Sequence, residues 1–208
     1  AVREILHGGA DFIKVIATGA VLTEGTVPSA PEFSEAEIRA AVEEAALYET
    51  HVAAHAHGAE GIKRAVRAGV RSIEHGSLMD DESIALMAEH GTFLVADVWM
   101  GDWSIEQGER EGWSPDVMRK LRETTDVQRE GFAKAVEAGV RIAFGTDSGT
   151  YPHGMNAHQF ATMVKHGMAP IEAIRSATVM AAELLGWRLV EDEETGDEEL
   201  VPLSEARA

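Results

Sequence analysis

One unit recurs along this chain: a short apolar run, then a glycine or turn, then an amphipathic helical pattern. The runs are Phe12–Thr18, His51–His57, Ser72–Gly76, Thr92–Met100 and Arg141–Asp147. Strands alternating with helices call for parallel pairing with crossover connections, so an α/β fold is expected. Helix boundaries are marked as well. Ser34 with Glu37 three residues later forms a capping box, Asp80 or Asp81 opens DDESIALMAEHG, and Gly69 and Gly139 close the helices KRAVRA and AKAVEA. Beyond Asp147 a loop, SGTYPHGMN, leads into a helix NAHQFATMVKHG and a further helix APIEAIRSATVMAAELLGW. The stretch from Gly101 to Trp113, with Trp103 and Trp113 among polar residues, reads as a long loop that covers a substrate or packs on the rim.

The 208 residues are 45% hydrophobic, enough for one sizeable core. Residues 1–187 are assigned to it and 188–208 to an acidic tail, either a hairpin about Thr195 and Gly196 or disordered. No stretch approaches the roughly 18 apolar residues of a membrane span, and AVREILHGGADF lacks the order of a signal peptide, so a cytoplasmic protein is expected. A formal net charge of -18 argues against nucleic acid as a partner and suggests a solvated acidic surface, suited to a high-salt cytoplasm. There is no cysteine, so any metal must be held by nitrogen and oxygen donors.

Four such donors fall in four of the runs: Lys14, His55, His75 and Asp147. Period-two alternation places Lys14 with Phe12 and Ile16, and His55 with His51, Ala53 and His57. Asp147 shares a face with the small residues Ala143 and Gly145, leaving room in a barrel interior, while Ile142 and Phe144 point to the helices. His55, His75 and Asp147 fall at the carboxyl ends of strands, where parallel barrels carry functional groups; Lys14 lies deeper, flanked by apolar residues that make it hard to expose. Singly, each has an ordinary explanation: a snorkelling lysine, hydrogen-bonded histidines, a turn-capping aspartate. One metal site explains all four.

The segments GADFIKVIATGAVLTEG, VAAHAHGAEGIKRAVRAGVRSIEHGSLMDDE and GVRIAFGTDSGTYPHGMNA resemble the amidohydrolase superfamily, in its imidazolonepropionase-related and Xaa-Pro or Xaa-Arg dipeptidase-like branch. The likeness runs over roughly residues 8 to 187, with Lys, His, His and Asp separated by 41, 20 and 72 residues. It implies a hydrolase acting on amide or peptide bonds of small molecules. Lys14 would be carboxylated by carbon dioxide to a carbamate bridging two divalent metals, zinc or similar; His55, His75 and Asp147 would be the other ligands. A metal-bridging hydroxide would attack the carbonyl, and Asp147 would pass its proton to the leaving amine. His57 is expected beside the ligands or against the substrate, with His153 and Asn156 bordering the substrate. A rival within the superfamily, the imidazolonepropionase-type cyclic-amide hydrolase or deaminase, has a glutamate three residues after the strand-five histidine; here that position is Gly58.

The resemblance also implies a strand-one His-x-His pair, and only His7 precedes Lys14. The expected architecture is therefore a partial TIM (β/α)8 barrel, strands four to eight with their helices, lacking the first three βα units and the small β-domain. Its open edges would be completed by a missing N-terminal segment or by self-association. A truncated remnant without turnover is the alternative.

Overall fold

Capping chemistry sets most of the helix ends in the computed structural model, which describes residues 1–191 and 198–202. Ser34 accepts from the Glu37 amide and the Glu37 side chain answers at the Ser34 amide, opening α2 (Glu35–Ala46) after a short α1 (Val2–His7). Asp80 and Ser83 form the same reciprocal cap on α4 (Asp81–His90). α3 (Ala59–Ala68) ends on Gly69 and α4 on Gly91, both left-handed, as the glycine signals require.

These helices alternate with β1 (Ile13–Ile16), β2 (Val52–Gly58), β3 (Ser72–Leu78) and β4 (Phe93–Val95), all parallel, in the order β1-β2-β3-β4. One face of the sheet is packed: Ile13, Ala54, Ala56 and Ile73 meet Ile38, Ile62, Val66 and Met87 from the helices, all 4% exposed or less. The opposite, inner face is open at β1, where Phe12 and Ile16 are 38% and 48% exposed and Lys14 is exposed beside them. The expectation of a lysine hidden by its neighbours is thus corrected. It shares its face with Phe12 and Ile16 as alternation requires, but among the described residues that face of an edge strand carries no covering layer.

The expected fifth strand is a single parallel bridge, Leu94 to Ile142. Two ladder bonds form, Leu94 N–H to Arg141 O and Ala143 N–H to Leu94 O; Phe144 N–H then donates to Ser176 O and the ladder ends. The gap is filled by Gln159, 1% exposed, on α7 (His158–Lys165). Its Nε2 donates to Gly145 O and Ala96 O, and its Oε1 accepts from Trp99 N–H. One side chain therefore replaces strand pairing.

The fourth run is likewise shorter than expected, because Met100 N–H bonds Asp97 O and opens α5 (Met100–Glu111) where a loop was expected. Gly101 and Gly108 of α5 face Thr125 and Met118 of α6 (Pro115–Glu137) so closely that an added Cβ would lie 2.5 and 2.3 Å from them. The final helical stretch divides into α8 (Pro170–Ser176) and α9 (Val179–Leu184). β5 (Trp187–Glu191) and β6 (Glu198–Pro202) then pair antiparallel, so the flanks of the tail form a hairpin; the Thr195 and Gly196 turn lies outside the described residues. No helix among the described residues is long and apolar enough to cross a membrane.

The loop from β1 to α2 is drawn against the carboxyl end of the sheet. Lys120 of α6, 2% exposed, donates to the carbonyls of Thr23 and Thr26, and His57 N–H donates to Thr18 Oγ1 at 2.9 Å. At Gly58 an added Cβ would stand 2.6 Å from Ser29 Cα, a backbone atom that cannot yield alone. Gly58→Ala is therefore expected to cost about 1–3 kcal/mol in urea unfolding, the range for overpacking a closed contact.

Candidate metal centre

Side-chain alternation along β2 puts Ala53, His55 and His57 on the inner face. The parallel register pairs Lys14 with Ala53, so Lys14 belongs to the same face one layer below His55. β3 begins in the same phase, with Ser72 and Glu74 inward and Ile73 among the helices. Continued alternation would send His75 outward. It does not, because His75 has φ 72° and the following Gly76 φ 61°, and the register slips between Ala56 and Gly58. The reversal turns the imidazole inward.

Three imidazoles consequently meet: ring centroids are 4.6 Å apart for His55 and His57, 4.5 Å for His55 and His75, and 4.8 Å for His57 and His75. They are 8%, 3% and 8% exposed. One candidate ligand atom from each lies within 4.8 Å of the others, and a second group of the same tightness joins His75 to Asp97 and the exposed Asp147. Asp147, also left-handed at φ 50°, thus reaches His75 from beyond β4.

The electrostatics favour a cation here. Burial holds His55 down at about 4, helped by the charges of His75 and Lys14, and burial holds His57 well below its ordinary value. Both are neutral near pH 7, with lone pairs available. Burial also pushes His75 down, yet the Asp97 carboxylate beside it, and then Asp147, leave it above the ordinary value. Burial pushes Asp97 up, but His75, Gln128 and His57 bring it well below the usual carboxylate range. Two acids therefore favour positive charge at His75, which a metal ion supplies as well as a proton does.

Hydrogen bonds fix the rings. His57 Nδ1 is bonded to Ser77 Oγ at 2.8 Å, and His75 Nδ1–H donates to ionised Asp97 at 3.1 Å. His55 Nε2 is buried with no hydrogen-bond partner. An unpaired buried nitrogen is costly, and a metal would satisfy it. Three imidazoles and two carboxylates suit a first-row divalent ion.

Of the residues singled out from sequence, His55, His57, His75 and Asp147 are brought together, and Lys14 lies on the same inner face. His153 is exposed in the loop after Asp147; Asn156 is half-buried there, its Oδ1 without a partner. Two acids were missed. Asp97 stood within the apolar run TFLVADVWM, where a lone aspartate among large residues was itself a signal of a paired, buried charge. Glu74, whose carboxyl burial pushes up, accepts from Ser72 Oγ at 2.5 Å and lines a cavity of about 150 Å³ with Lys14, Phe12 and Leu185. It escaped notice because strict alternation allows only one of Glu74 and His75 to face inward.

The amidohydrolase family profile covers residues 1–191. The chain belongs to the amidohydrolase family. It is 38% identical over 187 residues to the ochratoxinase of Aspergillus niger, an alignment spanning 89% of this chain and 38% of that protein. Among solved structures, a Xaa-Pro dipeptidase with bound methionine is 44% identical with a TM-score of 0.84, covering 89% of this chain and 46% of the other. A prolidase complexed with N-methylphosphonate-L-proline is 38% identical, TM-score 0.80, covering 88% and 45%. The chain thus spans less than half the length of these relatives. Its parallel sheet and helices correspond to part of their barrels.

Gly58 weighs against the imidazolonepropionase-type pattern on structural grounds too. The Ser29 backbone occupies the space that a glutamate at position 58 would need.

If the cluster is a metal centre, divalent ions should stabilise the fold by about 2.7 kcal/mol at a hundredfold excess over Kd. Thermal unfolding should rise on adding zinc or cobalt, fall back with chelator, and lose the response in His55→Ala. A wild-type chain indifferent to metal would count against the site.

Proposed function

We propose that this chain supplies the metal-binding half of the barrel of an amide-bond hydrolase acting on dipeptide-like or N-acyl amino acid substrates. The observation that carries the reading is a pair of ligand groups that share His75, one with His55 and His57 and the other with Asp97 and Asp147. The dipeptidase and ochratoxinase relatives support the choice of bond.

His55 and His75 would hold divalent metal, zinc by its preference for imidazole and carboxylate, with Asp147 as the oxygen donor. Lys14 would add an anionic two-oxygen ligand as its carbamate, reaching up one layer along the inner face toward a second ion. Bound metal contributes Lewis acidity toward the substrate carbonyl and lowers the pKa of water. Asp147, exposed at the rim, would accept the proton from water at its carboxylate and return it to the leaving amine nitrogen. His57, its Nδ1 bonded to Ser77, would present Nε2 beside the reacting carbonyl. His153 and Asn156 would border the substrate.

The open inner face at β1 supports a requirement for further polypeptide. Phe12, Lys14 and Ile16 face a side that additional βα units, or a second chain, would cover. The barrel completed in this way is the catalytic form. In it, Asp147→Asn should lower kcat for dipeptide hydrolysis at least 100-fold, the usual scale for a lost acid–base group. Lys14→Ala should abolish uptake of the second metal equivalent, measured by elemental analysis. Hydrolysis unaltered by Lys14→Ala would contradict the bridging role.

A further inference from the structure

We propose that Gln128 is a positioning residue that sets both the backbone and the ring of His75, so that Nε2 is the atom offered to metal. The inference rests on the metal-site reading above. His75 holds a left-handed backbone, which is strained for a residue with a Cβ and persists only where the surroundings enforce it. Gln128 Nε2 donates to the His75 carbonyl at 3.1 Å and to Asp97 Oδ1 at 2.7 Å; the other oxygen of Asp97 accepts from His75 Nδ1 at 3.1 Å.

The bonds close a loop. It runs from the His75 carbonyl to the Gln128 amide, to the Asp97 carboxylate, to the His75 imidazole and back through the residue's own Cα. His75, Asp97 and Gln128 are 8%, 3% and 5% exposed, so water does not readily substitute for a missing partner. An amide is the group this place needs. Its two N–H donors serve a carbonyl and a carboxylate together, whereas glutamate would repel Asp97 and methionine would donate nothing.

The consequence is a choice of tautomer. A carboxylate held at Nδ1 keeps the proton there and leaves the lone pair on Nε2. The amide holds the carboxylate in place, and through the carbonyl it also holds the backbone turn that brings the ring inward. α6 packs closely on the segment after His75: at Gly131 an added Cβ would lie 3.2 Å from Met79 Cε.

The test compares Gln128→Met with Gln159→Met in the 208-residue chain. Both remove a buried amide of the same size, but Gln159 bonds only Ala96, Gly145 and Trp99. Cobalt affinity is measured by visible absorption in competition with a chelator, and the His75 tautomer of the metal-free chain by nitrogen-15 shifts at alkaline pH, where the imidazole is neutral. Gln128→Met should weaken cobalt binding about 10–100-fold and give mixed Nδ1–H and Nε2–H forms. Gln159→Met, which loosens the segment carrying Asp147, should lose stability but leave the His75 tautomer unchanged. Unchanged affinity and tautomer in folded Gln128→Met, or the same tautomer mixture in both variants, overturn the proposal. If Gln128→Met does not fold, Gln128→Asn, which keeps a neutral amide but draws it back from His75 O and Asp97, carries the same two readouts. A wild-type chain that binds no cobalt refutes the metal-site reading, and the tautomer comparison then decides the role of Gln128 alone.

Discussion

The centre of this molecule depends on one break in the period of a strand. β3 alternates as any strand does until His75, where a left-handed turn shared with Gly76 brings a second consecutive side chain to the inner face. Without that reversal, His75 would point among the helices with Ile73, and His55 and His57 would have no third ring to meet. The turn is a strained conformation, and it is sustained by buried polar bonds from Asp97 and Gln128. The site is thus assembled by backbone geometry first and side-chain chemistry second.

Two buried glutamines carry related tasks from different helices. Gln128 of α6 fastens the site end of β3, and Gln159 of α7 joins β4 to the segment that carries Asp147. Both bond backbone groups that regular sheet pairing would otherwise satisfy, and both sit where strands diverge. The glycines at 58, 76, 101 and 108 complement them by allowing backbone and helices to approach closely. Close approach around the site is therefore obtained by omitting side chains, and cohesion by amides that donate twice.

The parts of the fold with a regular period were legible from sequence. β1, the capped helices α2 and α4 and the glycine ends of α3 and α6 lie where expected, and β2 and β3 run only to Gly58 and Leu78, just past their expected ends. What stayed hidden followed from irregularity. α5 reads as a loop because its buried stripe after Met100 consists of Gly101, Ser104 and Gly108, residues suited to closeness rather than apolarity. The fifth strand reads as a strand because its alternation is genuine; it pairs only once because Gln159 and Ser176 take the hydrogen bonds. His55, His57 and Asp147 could be placed by parity and strand ends. The inward turn of His75 depends on a φ angle, Asp97 on its partner in β3, and the exposure of Lys14 on what lies across an open face.

The central claim is that the inward imidazoles form a metal-binding surface in this chain itself. X-ray absorption at the zinc edge of the metal-loaded chain tests it most directly. Scattering from at least two imidazole ligands, lost when His55 and His75 are both replaced by alanine, is the predicted result. A spectrum showing oxygen donors alone, or one unchanged by that double replacement, would contradict the account.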